Sequence, residues 1–544
     1  MINRLGLPRT WKLLVLIVLV FRLATALPLQ YPGYMDASYT FHVAGNLARG
    51  QGLTEEILWN YLDQPVAIPH PSNLYWLPLP AFLAAGSFLL FGISYHAAQI
   101  PFILLSIVPP LLAFYLTRRI FKRDDYAWMA GLLTAFSGLY TIYWVGPDNF
   151  APFAVTAGLA LLFMAWGVER IEGAPGAGNV FARYGYWFAA GALAGLSQLA
   201  RADAFLLVGV VPFLLLLRRR PFRLVLLATL VAGLGFVIVM MPWLARNYAV
   251  AGSFLAPGGT STFFLRSYDE LFSYHVDQLT LARYLDWGMG NILLSKLRAL
   301  IFDVELLALG LQVYMLPLAL IGIWQWRRRA EFQVMLIYLT LLLGAMVLLF
   351  TYPNTHGSML HSSVALLAFF AAAVPAGLDA VIHWIAHRRR QWNERSAGRF
   401  FRVGFTLLAI GISLFTYGSG VMGNPLGGPL TSPLWNDRDS EYRAVDQELA
   451  ARGVPRDQPV LTVDPPSFIN QTGRRSIITP TDSVDALFQA ARQFGAHYLV
   501  LQDDHAAPLA DLYYGKAQID GLILVARFQD AIGRPVILYE VVEQ

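Results

Sequence analysis

The sequence predicts a polytopic α-helical membrane protein of about 11 spans plus interfacial helices, carrying a small C-terminal α/β domain outside the membrane. Three observations predict it. Hydrophobic residues make up 56% of the 544-residue chain and charged residues only 14%, at a mean hydropathy of +0.50, more apolar side chain than one soluble core absorbs. The basic residues stand as short clusters between apolar runs: Arg118, Arg119, Lys122 and Arg123; Arg218 to Arg220 with Arg223; Arg327 to Arg329; and Arg388 to Arg390 with Arg395, Arg399 and Arg402. After Gly418 the stretch GSGVMGNPLGGPLTSP, with a linker at 424–433, leads into residues 434–544 of soluble character.

The net charge of +5 sits in those clusters and not along one stripe, so it marks cytoplasmic loops and excludes a nucleic-acid partner. The absence of cysteine excludes disulfides, thiolate nucleophiles and Cys-ligated metals.

The first apolar run, Trp11 to Pro28, follows Arg4, Arg9 and Lys12 and ends near Ala24-Thr25-Ala26, as a secretory signal does. Arg22 interrupts it, and an uncleaved first span is the simpler account. A polar segment from Tyr31 to Asn73 follows, rich in carboxylates, histidine and aromatics. Within it the apolar spacing of Phe41, Val43, Ala44, Leu47 and Ala48 predicts an amphipathic helix along the membrane interface, ended by Gly50 and Gly52. Tyr75 to Phe91, with two internal prolines, reads as a half-depth or interfacial helix.

Further spans are expected at Ala97 to Ile120, Tyr126 to Tyr143, Pro152 to Val168, Tyr186 to Ala200, Ala204 to Leu217 and Leu224 to Trp243. Leu306 to Trp326, Phe332 to Phe350, Ser358 to Ile385 and Val403 to Val421 complete the set. This arrangement puts every basic cluster on the cytoplasmic side. The Asp36 loop, Asp148, Arg201, Arg246, the loop from Arg246 to Glu305, His356 and the C-terminal domain then share the external side of a cytoplasmic membrane. In the C-terminal domain, Glu441 to Ala451 and Val484 to Phe494 read as helices, and PVLTVD, HYLVLQ, LILVARF and PVILYEVV as strands.

Asp36, just beyond an apolar run, is placed to have its carboxylate partly removed from water and so to act as a base. The two spans flanking Arg201-Ala202-Asp203 are short, because about 14 residues cover only ~21 Å of a ~30 Å hydrocarbon layer. The connection is therefore expected to be recessed, which makes its Arg-Asp pair a candidate site.

With these residues placed, the chain resembles the lipid-linked-sugar glycosyltransferases of the GT-C superfamily, particularly protein O-mannosyltransferases and aminoarabinose transferases. The resemblance rests on Phe21-Arg22-Leu23, Met35-Asp36-Ala37-Ser38-Tyr39, Gly146-Pro147-Asp148, Gly195-Leu196 with Leu199-Ala200-Arg201, and Pro242-Trp243-Leu244-Ala245-Arg246-Asn247. It implies that Asp36 is the base. Many members place a second acid next to it, where this chain has Ala37. His70-Pro71-Ser72 stands where the family has an HPP-like element, and His356 and His361 where relatives have Arg-Tyr; these histidines and Asp203 are the further substrate-binding candidates. No cofactor and no metal ligand set is assigned, and metal dependence is left open.

The chemistry follows from a sugar donor on a polyprenyl phosphate. The leaving group departs as a phosphate monoester and needs no proton, so one base suffices. Asp36 would take the acceptor hydroxyl's proton as the oxygen attacks the anomeric carbon from the opposite face, giving inversion. Arg201 and Arg246 would meet the charge growing on the phosphate, and Asp148 would orient the acceptor or an arginine. The acceptor could be protein, glycan or lipid. The alternatives are a lipid or glycolipid transporter or flippase, and a non-enzymatic membrane protein with an external ligand-binding domain. Transporters, however, place such charges near the midplane between repeated halves, and no repeat is visible here.

Overall fold

The computed structural model describes residues 10–173, 180–349, 358–389, 392–423 and 433–542. His356 and most of the 424–433 linker lie outside the described residues. Among them, Tyr95–Phe121, Phe150–Glu172, Phe222–Ala251, Ala330–Leu349, Met359–Ala386 and Glu394–Met422 are each long and apolar enough to cross a bilayer. Shorter helices Trp11–Ala26, Asp124–Ala135, Val180–Gln198 and Leu206–Leu217 occupy the other expected positions. Pairs pack closely where small residues face each other. A methyl group at Gly377 would lie 1.8 Å from the Leu318 carbonyl oxygen, so only glycine lets Met315–Trp326 reach Leu367–Ala386.

The span expected over Leu306 to Trp326 is corrected. Met289–Gly310 and Met315–Trp326 are two helices that meet at 94°. Gln312 and Val313 adopt positive φ of 52° and 60°, which no α-helix accommodates, and the Gln312 amide donates to the Phe136 carbonyl at 2.6 Å. The apolar pattern runs through the break because each arm buries one face in the bundle, through Leu306 and Leu307 or Met315 and Ala319, while its outer face keeps large apolar side chains such as Ile301 and Trp324.

The amphipathic helix after the first span forms as Met35–Ala48, and it is enclosed by protein on two sides. Ser38, Thr40, His42 and Asn46 are buried along with its apolar residues, because Leu79–Phe91 packs on one side and Pro465–Thr472 on the other. Polar positions that sequence reading assigns to water thus face protein. Leu79–Phe91 has 13 residues, about 20 Å of helix, less than the full hydrocarbon thickness.

Among the described residues eight strands form two sheets: β1 (Thr54–Glu55), β2 (Ile57–Leu58), β3 (His70–Pro71), β4 (Val460–Thr462), β5 (Ser476–Ile478), β6 (Tyr498–Leu501), β7 (Leu522–Gln529) and β8 (Pro535–Val541). β1 and β3 pair antiparallel, and the other six run in the order β2-β5-β4-β6-β8-β7. β2, β5, β4 and β6 are parallel to one another, while β8 is antiparallel to β6 and to β7. The two helices expected here form as Ser440–Ala451 and Val484–Phe494. The edge strand β2 belongs to the first loop, with Ile57 opposite Ser476 and Leu58 opposite Ile477. Trp59, Tyr61, Leu271, Leu461 and Ile477 share one core, drawn from the first loop, the 246–305 loop and the C-terminal segment.

The basic clusters gather at one end of the bundle. Arg119 pairs with Glu169 and reaches Glu331 at 3.4 Å, Arg218 bonds Glu172 at 2.8 Å, and Arg402 bonds Asp379 at 2.6 Å. Asp36 and the sheet lie beyond the other end.

Candidate active site

Asp36 stands in the first turn of Met35–Ala48, where the helix dipole favours a carboxylate. The chain enters that helix through Gly33, whose φ is +73°, and a methyl group there would come within 2.2 Å of the Trp435 indole. Trp435 donates to the Tyr31 carbonyl at 2.9 Å, and Asn436 bridges the Gln30 amide and the Pro28 carbonyl at 2.8 and 3.0 Å. The start of the C-terminal segment therefore clamps the turn that aims Asp36.

Asp148 follows the short 3-10 helix Gly138–Thr141 in the turn before Phe150. Its side chain is buried and accepts from the Asn149 amide at 2.6 Å and from the Tyr34 hydroxyl at 3.0 Å. Burial pushes its carboxyl up to about 6, and the Asp36 charge adds to the rise against the pull of His361 and of the two hydrogen bonds. His361 brings Nε2 to 3.5 Å from Asp36 Oδ2, and its ring lies 4.4 Å from that of Phe150. One ligand atom from each of Asp36, Asp148 and His361 falls within 4.8 Å of the others. Two carboxylates and an imidazole suit a divalent cation, a donor set that sequence spacing does not reveal, since its members lie in three distant segments.

Arg201 adjoins this trio. Its backbone is extended, and Nε donates to Asp203 Oδ1 at 3.0 Å and to Ser362 Oγ at 2.9 Å, one residue from His361. The expected recessed pair is present: the side chains are 11% and 9% exposed. Asp203 Oδ1 accepts from Arg201, and its Oδ2 is buried without a hydrogen-bond partner among the described residues. Both Nη groups of Arg201 remain without hydrogen-bond partners among the described residues, so its two-pronged face is free.

Arg246 and His70 are brought into a second, neighbouring cluster. Arg246 Nη2 donates to the Ser72 carbonyl at 2.7 Å, and the guanidinium lies 4.9 Å from the Trp243 ring. His70 sits between Asp63 (3.1 Å) and Glu55 (3.6 Å). Burial by itself would lower the His70 imidazole, but the two carboxylates outweigh it and lift the ring to about 9. Tyr39, three residues past Asp36, donates to Glu55 and accepts from the Asn73 amide at 2.7 Å.

Sequence reading missed Tyr34, Glu55, Asp63 and Ser362, as well as two acids of the C-terminal segment. Asp464 is pushed up to about 7, first by burial, then by the charge of Asp439, with Asp36 contributing. Around it Ser467 Oγ meets Ser38 Oγ at 3.0 Å and the Asn470 amide donates to the Ser38 carbonyl at 2.8 Å. Asp148, 112 positions on in sequence from Asp36, thus brings a second carboxylate beside it, while the next position in the chain is Ala37.

Residues 69–245 match the family described as dolichyl-phosphate-mannose-protein mannosyltransferase, a stretch that holds His70, Asp148, Arg201 and Asp203. Among solved structures the chain is similar to ArnT from Cupriavidus metallidurans bound to undecaprenyl phosphate, with 14% identity, 98% of each chain covered and a TM-score of 0.55. It is also similar to the archaeal oligosaccharyltransferase AglB from Archaeoglobus fulgidus, in complex with an inhibitory peptide and a dolichol-phosphate, at 13% identity and a TM-score of 0.56. That match covers 93% of this chain and 71% of the other. No curated protein matches the chain. The fold is that of the GT-C glycosyltransferases.

Proposed function

We propose that this GT-C-fold membrane protein, part of whose bundle matches a mannosyltransferase family, is a glycosyltransferase that moves a sugar from a polyprenyl-phosphate donor to an acceptor hydroxyl on the outer side of the cytoplasmic membrane. The observation that carries the proposal is the convergence of Asp36, Asp148 and His361 beside the free face of Arg201. The two structural relatives whose printed descriptions name a bound polyprenyl or dolichol phosphate support this donor class.

In the proposed step the acceptor oxygen attacks the anomeric carbon while Asp36 takes its proton. The bond from that carbon to the phosphate oxygen breaks on the opposite face, its electron pair leaves with the polyprenyl phosphate, and the configuration inverts. Arg201 presents two parallel N–H donors to that phosphate, held in place by Asp203 and Ser362. Arg246 carries a second positive charge on the neighbouring loop. Tyr34 holds Asp148. A divalent cation held by Asp36, Asp148 and His361 would supply Lewis-acid stabilisation of the leaving phosphate. Turnover that survives chelation unchanged would remove the cation from this reading. The C-terminal segment, with Asp464 within electrostatic reach of Asp36, is proposed to cover the outer mouth and to help select the acceptor.

The test is to incubate purified protein with a radiolabelled polyprenyl-phosphate sugar and a range of acceptors, and to measure released polyprenyl phosphate. Cleavage by wild type and not by Asp36→Asn is the expected result. Donor that binds and stays intact in every sample sinks the proposal and favours a transporter.

A further inference from the structure

At the basic end of the bundle, far from Asp36, a cavity of about 850 Å³ opens between Asp124–Ala135, Leu367–Ala386 and Glu394–Tyr417. We propose that it is a binding site for one anionic diacyl phospholipid of the adjoining leaflet.

The cavity has two chemically distinct halves. Its inner wall is apolar, made by Trp128, Leu132, Ile382, Leu407 and Ile410. Its mouth is charged, and most of that charge is already neutralised. Arg123 pairs with Asp379 at 3.1 Å and with Asp125, while Arg402 pairs with Asp379 at 2.6 Å and with Asp125 at 3.3 Å. Glu394 faces His383 at 3.3 Å. Arg395 and Arg399 also line the mouth, are exposed, and have no counter-ion among the described residues.

Two exposed guanidiniums without an ion-pair partner among the described residues, in a mouth where four arginines face three carboxylates, stand above an apolar slot as a phosphodiester stands above acyl chains. The dimensions agree. From Arg399 to Ile410 the helix rises about 16 Å, roughly half of a ~30 Å hydrocarbon core and so about one leaflet. Glu394–Tyr417 also packs lightly. Only 17% of its apolar window is buried by the protein, the lowest share among the crossing helices, which leaves lipid to complete its packing. An inorganic anion would use the mouth alone and leave the apolar wall unexplained, so the occupant is a lipid.

Native mass spectrometry of the full-length protein in detergent, titrated with phosphatidylglycerol or phosphatidylcholine, tests the proposal. Wild type is expected to hold one phosphatidylglycerol with a preference on the order of tenfold. Arg395→Gln with Arg399→Gln should lose the preference while its melting temperature stays that of wild type. Leu407→Trp, which keeps the charges and fills the slot, should weaken phosphatidylglycerol binding itself. Equal binding of the two lipids by wild type overturns the site, as does a preference that survives the double substitution, or binding that survives Leu407→Trp. Selective uptake of undecaprenyl phosphate over phosphatidylglycerol also overturns the assignment.

Discussion

Asp36 keeps part of its carboxylate open to the space shared with Asp148 and His361, whereas its neighbours Ala37 to Thr40 are buried. Asp36→Asn should leave the protein folded and lower sugar transfer about 10²- to 10⁴-fold, since the amide accepts no proton; a variant with half the wild-type rate would reduce Asp36 to a loop acid. Arg201→Lys keeps the charge and loses both the fork and the Nε bonds to Asp203 and Ser362, so turnover should fall more than donor binding does. Steady-state rates set against binding of radiolabelled donor separate the two. His70 provides a pH test of stability. Its folded value of about 9 lies above the ordinary ~6.5, so its contribution is complete below ~6.5 and is lost as pH rises through about 9. Melting temperature should therefore decline between neutral pH and about 9.5, and His70→Gln should start lower and flatten that decline.

At the scale of elements, the turn from Pro28 to Tyr34 and the segment from Trp435 to Arg438 form one unit. Trp435 stacks edge-on against Tyr34 at 6.1 Å, and Tyr34 in turn holds Asp148. Trp435→Ala removes a buried aromatic and the bond to Tyr31, which typically costs 3 to 5 kcal/mol for such a truncation, roughly. The expected outcome is a loss of activity larger than the loss of thermal stability, because Asp36 and Asp148 are both aimed through this contact. Equal turnover in wild type and variant would show that the clamp does not set the site. Asp36 stands out in the sequence because it follows an apolar run and lies in a stretch that resembles a family motif. That Asp148 and His361 are its neighbours is not legible there, because they carry no spacing signal relative to Asp36 and meet it only through tertiary packing, as Trp435 meets Tyr34 and Ser362 meets Arg201.

Across the whole molecule, the C-terminal sheet cannot be removed without consequence for the first loop. β2 loses its parallel neighbour β5 if residues 434–544 are deleted, and Trp59 and Tyr61 lose the core they share with Leu461 and Ile477. Such a truncation should be inserted in the membrane yet show rapid hydrogen exchange over residues 54–73 and no donor cleavage. Slow donor hydrolysis with a protected first loop would mean that the loop folds independently. The basic clusters bonded together at one end give the bundle a single polarity, opposite to the Asp36 end.

By itself the sequence determined the membrane class, the approximate helices and four strands of the C-terminal segment, though not β5 (Ser476–Ile478). These follow from local signals: apolar run length, periodicity and basic clusters between runs. Only the tertiary structure decided that Asp148 lies beside Asp36, that His361 faces Asp36, that His70 and Arg246 belong to a neighbouring cluster, and that Ile57 and Leu58 pair with a strand some 400 residues later. Each of those pairings joins segments far apart in the chain. The hydrophobic effect that brings such segments together is non-directional, so composition and periodicity place residues inside or outside without saying which distant partner they meet.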